Sequence, residues 1–143
     1  MAHEHGTHTE VAANRALVRR QLEEGFNAGN LAIFDETYAP DFLDHHGFAD
    51  QQPGLAEVKR VYERFRAAFP DLSTTIEDLV AEGDKVVVRS RLRATHRGTF
   101  QGLPPTGKPI EIEAINIYRI TNGKIVERWG LNTDLMGQLS KEG

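Results

Sequence analysis

A chain of 143 residues is long enough for one domain with a proper core, and its 39% hydrophobic and 27% charged residues are ordinary for a globular protein. A formal net charge of −4 argues against nucleic acid as the main partner. With no cysteine there can be no disulfide and no thiolate nucleophile or metal ligand, and no apolar run is long enough to span a bilayer.

The N-terminus lacks a basic region followed by an apolar run, so a cytoplasmic protein is expected, with no membrane partner. Residues 1–8 carry His3, His5 and His8 and read as a disordered tail rather than a metal-binding tract, because no carboxylates complete a site. The single domain is expected over 9–143. Thr9 to Ala28 has Val11, Val18, Leu22 and Phe26 near helical spacing, with Gly29 placed to follow the last turn. Asn30 is placed to cap a short second helix with Leu31, Ile33 and Phe34, which Pro40 ends. Phe42 to Phe48, FLDHHGF, reads as a short strand with Phe42, Asp44 and His46 on one face. Gly54 to Ala68 is a third helix whose stripe, Leu55, Val58, Tyr62, Phe65 and Phe69, reads as core.

Two strands follow, Leu72 to Ala81 and Lys85 to His96, joined at Glu82-Gly83-Asp84. The second turns Val86, Val88, Ser90, Leu92, Ala94 and His96 one way and Arg89, Arg91 and Arg93 the other. The arginines read as a solvated face, paired across strands with Glu111 and Glu113. The Gly/Pro loop from Arg97 to Lys108 is suited to cover a pocket mouth. Two long strands then flank Asn122-Gly123, the strongest short hairpin signal, since a type I′ turn needs φ > 0 at both central positions. On the first of them Ile110, Ile112, Ala114, Asn116 and Tyr118 share a face, and a polar Asn among apolar neighbours reads as a pocket wall. The return strand carries Arg128, Trp129, Asn132 and, at its end, Asp134. Helices set apart from an antiparallel sheet mean an α+β fold, here a bent sheet wrapped around the N-terminal helix with an internal pocket.

YAPDF, FPDLSTTIEDLVAEGDKVVVRSRLRATHRGTFQGLPPTGK, IYRITNGKIVERWG and DLMGQL together resemble the SnoaL-like polyketide cyclase (ester cyclase) family of the NTF2-like superfamily, over roughly Leu17 to Leu139. The resemblance implies an α+β cone with a deep pocket, frequent homodimers, and intramolecular aldol cyclisation without a cofactor. Matching the segments puts the family's acid/base Asp on Gly130 and its assisting His on Asn116, so neither side chain is kept. A pocket Asn of the family matches Asp44, and an aromatic hydroxyl of some members matches Phe26.

The remaining polar groups suggest proton transfer at carbon: a base of tuned basicity and a donor for the oxyanion. Asp44 is the candidate base, unless it is a turn residue paired with an arginine. His46 can be acid, base or orienter, and Asn116 an oxyanion donor but never a base. Asp134 is either a second base or the cap of a C-terminal helix. Phe26, Leu92, Ala94, His96, Tyr118, Arg128, Trp129 and Asn132 are expected to line the substrate site, His96 alternatively as a rim residue and Trp129 alternatively as core. The expected partner is a hydrophobic, polyketide-like small molecule, and the expected assembly a homodimer through the outer sheet face. No metal is expected, since no spaced ligand set lies outside the tail. Two alternatives stay open: a water-activating epoxide or ester hydrolase, with Arg128 and Asp44 as the inward pair, and a small-molecule-binding domain without turnover.

Overall fold

The computed structural model describes residues 8–47 and 51–140. The expected tail, including His3 and His5, and Phe48 and Asp50 fall outside the described residues. Four α-helices, α1 His8–Arg20, α2 Leu31–Thr37, α3 Leu55–Ala68 and α4 Leu135–Ser140, accompany five strands, β1 Tyr38–Asp44, β2 Ser73–Glu82, β3 Lys85–Thr95, β4 Pro109–Thr121 and β5 Lys124–Asn132. The sheet is curved and open, in the order β1-β5-β4-β3-β2. Among the described residues no helix is long and apolar enough to cross a membrane.

The first helix differs from its simple reading. It starts at His8, so position 8 belongs to the fold rather than the tail, and α1 widens into a π-helical stretch over Gln21–Asn27. A single wide turn shifts the phase of the side chains that follow, and such turns gather at functional sites. Gly25 allows the close approach of α2 here, since a Cβ on it would come within 2.9 Å of the Phe34 ring. Gly29 then adopts φ 74° and its N–H bonds Gly25 O, ending the helix as expected. Asn27 ties this end to the sheet, donating to Thr74 O and accepting from Thr74 N, each at 2.8 Å. Asn30 Oδ1 accepts from Ala32 N at 3.2 Å and caps α2.

The short strand also departs from expectation. It runs 38–44, not 42–48, and pairs in parallel with β5, whereas the other pairings are antiparallel. Pro40 is tolerated because β1 is the sheet edge. His46 therefore lies in the turn beyond the strand. The hairpin stands as read, with φ 52° at Asn122 and 74° at Gly123. On β4 the even-numbered residues from Ile110 to Tyr118 face inward, while Glu111 and Glu113 face solvent and pair with Arg91.

Packing divides the interior in two. One cluster joins Val18, Phe34, Phe42, Val86, Ile120 and Ile125; the other joins Phe69, Leu72, Phe100, Ile110 and Leu139. The inward faces of β3 and β4 run from one cluster to the other, and a cavity opens between the two.

Candidate functional site

The cavity measures about 480 Å³. Its body is apolar and aromatic, with Phe26, Tyr62, Phe65, Leu92 and Ile112 in the wall. Its lining runs from the exposed His46 and Gly47 to the buried Gln21, Tyr38 and Tyr118. That proportion of apolar wall to a few convergent polar groups is what a small-molecule site needs.

Strand register explains which polar groups meet. Asp44 on β1 stands beside Arg128 on β5, Arg128 beside Tyr118 on β4, and Gly130 beside Asn116. Arg128 NH1 donates to Asp44 Oδ1 at 2.6 Å, and its Nε donates to Asn116 Oδ1 at 3.0 Å. The guanidinium reaches Asn116 by lying over position 130. A Cβ there would run into both Asn116 Oδ1 and the guanidinium, so only glycine leaves the path open. The absence of a side chain at Gly130 and the presence of an inward Arg128 are thus one arrangement.

Burial alone would lower the Arg128 pKa, but the Tyr118, Asp44 and Tyr38 oxygens facing it outweigh this and raise it, so it remains a cation. Burial pushes the Tyr38 hydroxyl well above its ordinary value and raises Tyr118 as well, so both stay neutral phenols. Asp44 Oδ1 also accepts from His46 N at 3.0 Å, while Oδ2 takes a 3.4 Å contact from Gln51 Nε2. His46 Nδ1 accepts from Gly130 N at 3.0 Å. That bond sets the tautomer, because an accepting Nδ1 leaves the proton on Nε2. Asn116, with Oδ1 held by Arg128, presents its Nδ2 as donor.

Asp44, His46, Asn116, Phe26, Leu92, Tyr118, Arg128 and Asn132 all line this cavity. Four expected residues do not. Asp134 caps α4, accepting from Gly137 N at 2.9 Å, so the capping alternative holds and it is no base of this site. Ala94 lies further along β3 in the second core cluster. His96 follows it and is 0% exposed, stacked on Phe69 with Nδ1 accepting from Thr106 N at 3.2 Å. Trp129 faces outward, its ring parallel to that of His45 at 4.7 Å. A bulge between Arg119 and Ile120 explains the last case: it changes the phase of β5, so Ile125 is inward yet Trp129 and Leu131 are not. The loop 97–108 does not reach the mouth. It folds on the end of α3, where Arg97 N and Gly98 N bond Ala68 O. Gln21, Tyr38, Gln51, Tyr62, Thr74 and Ser90 are lining polar groups not anticipated as site residues from sequence. Gln21 had a signal: it sits three residues after Val18 and beside Leu22, a polar residue on the apolar stripe. Among the described residues no cluster of three or more His, Asp or Glu could hold a metal ion.

Solved structures of similar proteins share this frame. IdmH from Streptomyces antibioticus, a candidate polyketide cyclase, is 33% identical over 90% of this chain and 99% of its own, with a TM-score of 0.75. A candidate SnoaL-like polyketide cyclase from Jannaschia sp. CCS1 is 25% identical over 96% of this chain and 99% of its own, with a TM-score of 0.85. AclR from Streptomyces galilaeus, a candidate hydroxylase, is 29% identical over 90% and 93%, with a TM-score of 0.75. Among curated proteins no match is found. Residues 16–140 match the family model of the SnoaL-like polyketide cyclases, and the chain belongs to that family.

Proposed function

We propose that this protein is an acid/base enzyme that needs no cofactor and acts on a hydrophobic, polyketide-like ketone by cyclisation or related isomerase or lyase chemistry. The observation that carries the reading is the meeting of Asp44, His46, Asn116 and Arg128 on one wall of an otherwise largely apolar cavity. Asp44 Oδ2 takes the proton from carbon. Asn116 Nδ2 and the Arg128 cation stabilise the enolate oxygen that develops. His46 Nε2–H returns a proton at the mouth. The apolar wall excludes water and strengthens each of these interactions. A thermal-shift screen of polyketide-like and steroid-like ketones supplies substrates, and turnover by Asp44→Asn decides the matter. A rate equal to wild type removes Asp44 as the base.

A second reading has its own support. Arg128 bridges a carboxylate and an amide, at 2.6 and 3.0 Å, and such a bridge can orient a water for attack on an epoxide or ester. Oxygen-18 from labelled water would enter the product of hydrolysis and would be absent from an intramolecular cyclisation.

A further inference from the structure

Gln21 is 2% exposed, lines the cavity, and has a side-chain nitrogen without a hydrogen-bond partner. Its Oε1 is occupied, accepting from the Tyr38 hydroxyl at 3.0 Å. The Tyr118 hydroxyl interacts with the same amide, but among the described residues no contact of full hydrogen-bond geometry satisfies Nε2. With the amide oxygen toward Tyr38, the two N–H donors are left over. Burying an unpaired amide N–H costs folding free energy, and buried polar groups are nearly always satisfied. The surroundings sharpen the point: Leu22, Phe34 and Phe42, which line the cavity and share a core cluster with Tyr38, offer no side-chain acceptor. The π-helical stretch begins at Gln21 itself, where such turns mark functional positions.

We propose that Gln21 Nε2 is a ligand-binding donor to a neutral carbonyl oxygen, on the buried part of the cavity wall beside Tyr38. The ligand class follows. It is a largely apolar molecule with an uncharged acceptor on the part that reaches this wall. A resident carboxylate would add a second full negative charge beside an Arg128 cation that Asp44 already balances, whereas a neutral carbonyl adds none. The inference rests on the cavity being the ligand site and not on the acid/base roles given above.

The test uses two tricyclic probes that differ by one oxygen, 9-fluorenone and fluorene. The ratio of their Kd values reports preference for the carbonyl. Gln21→Leu should lower that preference about tenfold, the size of one buried hydrogen bond, and leave fluorene affinity little changed. Gln21→Met serves if the leucine variant does not fold. In wild type the infrared carbonyl stretch of bound fluorenone should lie below its value in hexane. The shift should vanish in the Gln21 variants and persist in Asp44→Asn, which separates this inference from the catalytic one. The proposal is overturned if the preference and the shift survive loss of Gln21, if they depend on Asp44 instead, or if wild type does not bind fluorenone.

Discussion

Gly130 shows how a single missing side chain sets the chemistry of this wall. Without a Cβ, the Arg128 guanidinium can cross from Asp44 to Asn116; with one, it collides with both partners of the bond it makes. Gly130→Ala should therefore fold but break the Arg128–Asn116 bond, at a cost of about 1–2 kcal/mol in a urea melt. Asn116→Ala made in that background should add far less than it does alone, because the shared bond is already gone. Strict additivity of the two would mean that the bond contributes nothing. Asp44→Asn keeps an oxygen for Arg128 and removes the base, so turnover should fall by about 10²–10⁴-fold with modest change in ligand affinity. Asp134→Asn is the control, since asparagine caps a helix as well as aspartate and turnover should hold at the wild-type level. Sequence could reveal Asp44 and Asn116 because each breaks an apolar pattern. It could not show that Arg128 fills the space over Gly130, because that depends on a diagonal reach across two strands.

At the scale of elements, alternation was legible wherever a strand stayed regular. The Asn122-Gly123 turn and the inward face of β4 follow from period two alone. The errors arose where a face passes from one environment to another. Ala94 and His96 share the inward phase of Leu92, yet the strand has by then left the cavity for the second core cluster. Trp129 turns outward through the β4–β5 bulge, which leaves no mark in the pattern of the return run. One contact that ties α3 to β3 can be tested by pH. Asp71 accepts from both Thr95 N and Thr95 Oγ1 at 2.8 Å, and these bonds hold its carboxyl below the usual range. A carboxyl depressed in the folded state adds stability that is present above its unfolded pKa and lost as pH falls through the folded one. Asp71→Asn should then be less stable than wild type at neutral pH, and the gap in urea midpoint should narrow as the pH is taken below about 4. A gap that is constant with pH would detach the carboxylate from this role.

The whole molecule leaves one sheet face unexplained by the site. On the side away from the cavity, Val80, Val87, Ile117 and Trp129 are register partners in turn, an apolar row that crosses β2 to β5. The next row adds Ile115 and Leu131, which are 51% and 74% exposed. Arg89 stands in that same row beside Ile115, and beyond it lie Arg91 and Glu113, with Glu77 pairing both arginines in a charged rim. A contiguous apolar band edged by ion pairs is the form of an interface, and a two-fold axis would bury the same band from both copies. The expected assembly is a homodimer joined through this face, with each cavity opening away from it. Sedimentation at micromolar concentration should find a species of twice the 16.0 kDa chain mass. Leu131→Glu should shift that species toward monomer. Its fold should persist, because the residue is exposed within the chain, so the thermal midpoint may serve as the check only at concentrations where wild type is dimeric. Wild type that remains monomeric at high micromolar concentration would show that this band serves something other than self-association.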